Sequence, residues 1–334
     1  MTVEAIPDQA VTQFLETRGF REASISELKT GRNSRVYKVS SVNNCAILKI
    51  YHKHANDCRD RLAAEYAFLS LLNHLGVFPV AKPLGKDEFL GFGIYEYLLG
   101  AHVSAVTDSD VNQAVSFLRE INDVRYQPQA RTIHEASEAC WSLDSHILMV
   151  EKRVTKLRKE IQEKEEPEAF NFVNNELSQA LERSICASRQ NLDDVDRFQD
   201  TPTGLRILSP SDFGFHNVLK HGEKIFFVDF EYAGWDDPVK LACDFICQPD
   251  VPVSDYQAAF FTNSMASWLK DERLSEYVDR ILLLYRVKWC CILLNNFLAE
   301  GDARRKHANA HSNEGKKSQL EKAKRYFSKF IGKL

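Results

Sequence analysis

Apolar positions change their period along this chain. Over residues 9–18 they recur at helical spacing and predict a short amphipathic helix. The stretch ISELKTGRNSRVYKVSSVNNCAILKIY, residues 25–51, is instead rich in strand formers, among them Val36 and Tyr37. Asn43-Asn44 signals a turn, and residues 46–51 form a second apolar strand. The reading is a hairpin whose first turn is small and polar, around Gly31-Arg32-Asn33-Ser34. Leu62, Tyr66, Leu69 and Leu72 then fall at helical spacing, which predicts a helix over residues 57–75 ended by Gly76. Residues 82–97 return to β character, with Gly85, Gly91 and Gly93 as punctuation.

From Asp108 onward helical patterns dominate. Residues 145–191 are charge-rich with a break near Pro167, and predict a helical hairpin or a solvated charged face. A second β patch interrupts the helices. It comprises Ile207-Leu208, then Asn217-Val218-Leu219, a turn at His221-Gly222, and the apolar run 224–228 ending on Asp229. After Pro238 the pattern is helical to the end, and the basic stretch beyond Arg304 reads as a surface helix. β-rich sequence followed by helical sequence predicts an α+β protein of two lobes, a small β-rich one over 1–97 and a larger, mainly helical one over 98–334.

Composition narrows the class. Of 334 residues 44% are hydrophobic and 27% charged, as in a soluble globular protein with a substantial core. A net charge of −4 and a pI near 6.2 argue against a generally basic nucleic-acid surface. The eight cysteines (Cys45, Cys58, Cys140, Cys186, Cys243, Cys247, Cys290 and Cys291) form no CxxC pair, which fits reduced thiols in a cytoplasmic protein. The N-terminus lacks the basic and apolar regions of a signal peptide. The most apolar stretch, 281–298, contains Arg286, Lys288, Asn295 and Asn296, which favours a buried helix over a membrane span.

The chemistry concentrates in SPSDFGFHNVLKHGEKIFFVDFEYAGWDDP, residues 209–238. Phosphoryl transfer needs a carboxylate to orient and deprotonate an attacking hydroxyl, and hard oxygen ligands for magnesium on the nucleotide phosphates. Asp212, Asn217 on the same loop, and Asp229 across a short hairpin supply those groups. The segment resembles the aminoglycoside phosphotransferase and choline kinase branch of the protein-kinase-like superfamily. That branch reads His-Gly-Asp, four residues, Asn, then Asp-Phe/Trp-Glu after a strand. Here the matching residues are Pro210-Ser211-Asp212, Asn217 and Asp229-Phe230-Glu231. The resemblance extends over roughly residues 25–300, and implies a bilobal kinase-like fold with Asp212 as catalytic base and Asn217 and Asp229 as magnesium ligands. It departs at Pro210, where the branch carries a loop-supporting His. His216 is not at the equivalent position and reads as a loop residue.

The first lobe supplies the remaining parts of that template. Lys49 near the end of its strand would bind nucleotide phosphates, and Glu65 on the next helix would hold it by an ion pair. Taken singly, they are a solvated edge charge and a surface glutamate. Gly31, Asn33 and Ser34 would cover the phosphates with backbone N–H groups, although a single glycine also suits an ordinary turn. The stretch 94–100 is either an edge strand or the connector between lobes, whose backbone at Glu96 and Leu98 would meet the adenine edge.

Only Phe230 to Asp237 separates Asp229 from Pro238, and no Ala-Pro-Glu follows. That leaves little chain for a peptide-docking platform, so the expected acceptor is a small hydroxyl compound such as a sugar, polyol or amino alcohol. Glu231, Trp235, Asp236, Lys288 and Asn295 are candidate substrate residues, with Lys288 and Asn295 seven apart on one helix face. Residues 286–298, DFGFHN and EYAGWDDPVK also resemble phosphotransferase-family proteins of bacterial surface-polysaccharide functions, which implies a sugar-derived acceptor. The donor is expected to be ATP, with GTP open. Pro210 keeps a second reading alive, a nucleotide-binding scaffold without turnover; a kinase acting on a protein is the third.

Overall fold

A computed structural model describes residues 9–28, 34–42, 44–52, 59–190, 200–300 and 315–332. Its first part is helix α1 (Gln9–Glu16), strands β1 (Ser24–Leu28), β2 (Ser34–Ser40) and β3 (Cys45–Tyr51), helix α2 (Arg61–His74), and strands β4 (Pro83–Asp87) and β5 (Phe92–Glu96). The strands form one antiparallel sheet in the order β1-β2-β3-β5-β4. The expected hairpin is thus a three-stranded unit, because β1 pairs along the whole of its length with β2.

Strand alternation sorts the side chains of this sheet. Tyr37, Val39, Ala46, Leu48, Phe92 and Ile94 turn toward α1, where Val11, Phe14, Leu15 and Phe20 complete a small core. Lys49, Tyr51 and Tyr95 turn to the other face, toward α2. Asp60 begins α2 by accepting the Ala63 amide at 2.9 Å, so the helix starts later than its apolar spacing suggests. Gly76, at φ +78°, ends it as expected. Leu62, Phe68, Leu69 and Leu72 of α2 belong to the same core as the helical part of the chain, so α2 is the joint between the two parts.

That helical part contains β6 (Ala101–His102), α3 (Asp108–Asp123), α4 (Leu143–Glu163), α5 (Pro167–Asn171), a π-helical stretch (Phe172–Leu177) and α6 (Ser178–Ser188). Next come β7 (Ile207–Ser209), β8 (Val218–His221), β9 (Lys224–Phe227), β10 (Gly234–Asp236), α7 (Pro238–Cys247), α8 (Asp255–Leu269), α9 (Leu274–Leu293) and α10 (Gly315–Phe330). Helix α9 lies at the centre, packed by α4, α6, α7, α8 and α10. The charge-rich stretch does form a helical hairpin, but α4 buries Ile147, Val150, Val154, Leu157 and Ile161 rather than lying solvated. Two strands gave no periodic signal. β6 pairs with β8, and β10 pairs with β7; at two and three residues they exist through tertiary pairing. Helix α9 ends at Leu293, which puts Asn295 in a separate 3-10 turn and off the helix face that carries Lys288.

His146 on α4 is buried, with Nδ1 2.7 Å from the Tyr285 hydroxyl of α9. Burial, aided by the charges of Lys240 and Lys288, holds its pKa down to about 4 from the ordinary 6.5. The unfolded chain therefore takes up a proton that the folded chain refuses. This contribution to stability is complete above pH 6.5 and is lost as pH falls toward 4. Denaturant unfolding should show a loss of about 2 kcal/mol by pH 5 from this residue, absent in His146→Leu. An equally steep acid limb in that variant would assign the effect elsewhere.

Candidate active site

The sheet and the helical part meet at one buried carboxylate. Glu65 accepts two hydrogen bonds from the Lys49 ammonium, at 2.8 and 2.9 Å, and one from the Tyr51 hydroxyl at 2.6 Å. It also accepts the Phe230 amide, from the far part of the chain, at 3.3 Å. Lys49 reaches the Asp229 carboxylate at 2.9 Å as well. Strand β3, helix α2 and the segment after β9 thus bring Lys49, Glu65 and Asp229 together. Behind them Tyr51 contacts the Tyr95 hydroxyl at 2.8 Å. Burial would lower the Lys49 pKa, but the charges of Asp229, Glu65 and Glu231 outweigh it and hold it above the ordinary value, so the cation persists.

Asp229 lies two residues beyond the end of β9, at φ +69°, a left-handed conformation that aspartate tolerates better than most residues. Its side chain is 39% exposed beside a nearly buried lysine, so the carboxylate reaches solvent. Three contacts hold the segment. Phe227 N–H donates to Pro79 C=O at 2.8 Å, Val228 N–H to Asn217 C=O at 3.0 Å, and the Phe230 ring stacks on Phe68 at 5.5 Å.

The Asn217 bond ties Asp229 to the Asp212 loop. Asn217 also donates from Nδ2 to the Asp212 backbone carbonyl at 3.0 Å. Its amide nitrogen is committed inside the loop, and its oxygen is the atom it can offer a ligand. An Asn carbonyl oxygen and the Asp229 carboxylate are hard donors, fitting magnesium. The loop is anchored by Phe213, which stacks with Phe227 and Phe245 at 5.2 and 5.8 Å. Before it, Ser211 adopts φ +65°, and the Lys240 ammonium donates to its Oγ at 3.1 Å.

His216, read from the sequence as a loop residue, contacts Asp212: Nε2 stands 3.2 Å from Oδ1. Burial works to lower its pKa, but the charge and hydrogen bond of Asp212 raise it overall, with smaller help from Asp250 and Asp229. Nothing in the spacing marked this residue.

The other candidates divide. Ser34 opens β2 and donates to Glu231 at 3.4 Å, with Arg61 3.9 Å from the same carboxylate. Burial and the Asp229 charge push Glu231 up to about 7, against the pull of Lys49 and Arg61. Gly31 and Asn33 lie outside the described residues. Glu96 ends β5, its amide donating to Lys82 C=O at 2.8 Å, and Leu98 follows in the connector. Gly100 presses that connector against β8: a Cβ there would stand 3.1 Å from the Lys220 carbonyl.

The expected substrate set does not assemble. Asp236 is fully buried and bound to Lys240 at 2.6 Å. Lys288 binds both oxygens of Asp244 at 2.8 Å. Trp235 donates to Ala130 C=O at 3.2 Å. Asn295 sits in a turn packed against α4 and α10, beside Phe297, whose carbonyl is bonded by Lys164 just past the end of α4. Asp236, Lys240, Asp244 and Lys288 form a charge-balanced buried network beneath the Asp212 loop. One segment had no sequence signal at all. Residues 134–136 run along β10, and a Cβ on Gly234 would stand 2.4 Å from the His134 carbonyl.

Comparison with known proteins finds matches for both the sequence and the fold. The model of a phosphotransferase enzyme family, APH, matches residues 24–268. The gentamicin–APH(2'')-IIa complex superposes with a TM-score of 0.63 at 12% identity, over 97% of each chain. A choline kinase from Cryptosporidium parvum Iowa II gives 0.60 at 14% identity, over 97% of this chain and 99% of that one. Spectinomycin phosphotransferase APH(9)-Ia, with ADP and spectinomycin, gives 0.59 at 13%, with the same coverage. At such identities the likeness establishes the fold. No curated protein matches the chain.

The buried chain Tyr95–Tyr51–Glu65 makes an asymmetric prediction. Tyr51→Phe removes a donor from a buried carboxylate and strands the Tyr95 hydroxyl, and should cost about 1–3 kcal/mol in denaturant unfolding. Tyr95→Phe leaves the Glu65 bond intact and should cost less. Equal losses would show that the Tyr51–Glu65 bond carries no special weight.

Proposed function

We propose that this chain, which belongs to the phosphotransferase enzyme family, moves the γ-phosphoryl group of ATP to a hydroxyl of a small molecule. The observation that carries the reading is Lys49 held between Glu65 and Asp229, with Asp229 tied through Asn217 to the Asp212 loop. In the proposed reaction Asp212 orients the acceptor hydroxyl and takes its proton as the oxygen attacks the γ-phosphorus. A new O–P bond forms, the bond from phosphorus to the β–γ bridging oxygen breaks, and ADP leaves. Lys49 neutralises phosphate charge, and Glu65 keeps the ammonium aimed. Asn217 and Asp229 would hold magnesium, which supplies charge neutralisation on the donor phosphates. The backbone at Glu96 and Leu98 would meet the base, and the turn around Gly31, Asn33 and Ser34 would cover the phosphates.

A small acceptor is favoured by the short link after Asp229. That link folds at once into β10, and Asp237 then caps α7 by accepting the Val239 and Lys240 amides, at 2.6 and 3.2 Å. No length of chain is left there for a peptide platform. Solved proteins of this fold include a choline kinase and a spectinomycin phosphotransferase, so amino alcohols, aminocyclitols and sugars are the first acceptors to try.

The test is ADP release from Mg-ATP with choline, spectinomycin, gentamicin and a panel of free sugars, alongside Mg-GTP. Asp212→Asn should lower turnover by roughly a hundredfold to ten-thousandfold while folding is kept. Asp229→Asn should abolish the magnesium dependence along with the activity. Nucleotide binding with no transfer to any acceptor would favour the scaffold reading. Wild-type rates in both variants would sink the assignment of roles.

A further inference from the structure

The resembled family braces its catalytic loop with a His two residues before the Asp, and this chain has Pro210 there. The structure carries another imidazole on the opposite flank of Asp212. His216 lies in the 3-10 turn Phe215–Asn217, with Nε2 3.2 Å from Asp212 Oδ1. To bond a carboxylate, Nε2 must carry the hydrogen. The other ring nitrogen, Nδ1, points away from Asp212. That atom is buried with no hydrogen-bond partner.

The ring has a built seat. Gly214 is extended, at φ 175°, so its backbone does not require glycine. Its lack of a side chain is what matters: a Cβ there would stand 2.9 Å from His216 Nδ1 and 3.1 Å from its Cε1. The same Cβ position is 3.3 Å from Gln248 Cγ, so Gln248 flanks the ring on that side. The Gln248 carbonyl oxygen accepts the Val251 amide at 3.0 Å, which fixes that side chain in place. Gln248 Nε2 is likewise buried without a partner. The ring is thus held by packing against Gly214 and Gln248, and its one observed polar contact is Nε2 to Asp212.

We propose that His216 is the positioning residue for Asp212, donating Nε2–H to Oδ1 to fix the carboxylate's rotation, with Gly214 and Gln248 holding the ring. His216 does the work of orientation that a His in place of Pro210 would do, from the C-terminal side of the loop. This rests on the reading of Asp212 as the base. It adds that the base is oriented by a residue four positions after it, in a turn that also delivers Asn217 to the cleft.

The test uses slow Mg-ATP hydrolysis by the full chain, with water in the acceptor's place. His216→Gln can return an Nε2–H donor to the same position, whereas His216→Met fills similar space without one. The expected result is a fall in kcat of roughly tenfold to a hundredfold for Met, at unchanged KM for ATP, and near wild-type kcat for Gln. Gly214→Ala, which pushes the ring from its seat, should follow Met. Equal rates for Gln and Met would overturn the positioning role while leaving Asp212→Asn free to support the base. Full turnover in Asp212→Asn would overturn the base itself. A double-mutant cycle of Asp212→Asn and His216→Met on unfolding reads the contact without turnover: non-additive effects are expected, and strict additivity overturns the proposal.

Discussion

The arrangement of this molecule depends on a buried carboxylate that must find four hydrogen bonds from three donor groups. Glu65 is 2% exposed and receives Lys49 twice, Tyr51 and the Phe230 amide. An ionised carboxylate in such a place is costly unless its lone pairs are filled. The sheet supplies the ammonium and the phenol, and the helical part supplies the amide. Neither part satisfies Glu65 alone, so one charge fixes the distance between them. Lys49 carries the constraint onward to Asp229.

A second set of constraints holds the loop that bears Asp212. From below come the Phe213, Phe227 and Phe245 stacks and the buried network of Asp236, Lys240, Asp244 and Lys288. Lys240 reaches up to Ser211, whose left-handed backbone turns the chain into Asp212. From the edge, Asn122 clamps β7 through both the amide and the carbonyl of Leu208, at 2.9 and 3.0 Å. Charged residues that look like ligands in the sequence are thus part of the foundation. Removing one partner would leave an uncompensated buried charge, which is why such residues make poor substrate contacts.

Rigid support on one side of the cleft contrasts with open carboxylates on the other. The Asp212 and Asp229 side chains are 36% and 39% exposed. Between the foundation and the open face lie Glu231, with Arg61 and Ser34, and His216, with Gly214 and Gln248.

The sequence by itself determined the class of fold and the local element that carries each of Lys49, Glu65, Asp212, Asn217 and Asp229. Strand alternation put Lys49 on the face opposite Leu48, helical spacing put Glu65 on α2, and the five-residue step from Asp212 to Asn217 is a local turn. Those are short-range relations, fixed by backbone periodicity, and they can be read from neighbours in the chain. The tertiary structure alone decided that Tyr51 and Tyr95 stand behind Glu65, that Lys49 meets Asp229, and that Asp236 and Lys288 turn inward. It also made β6, β10 and the segment beside Gly234, which have no period of their own and form because a partner strand lies alongside. A side chain's partner across the core depends on packing between elements far apart in sequence, and no spacing along the chain encodes that contact.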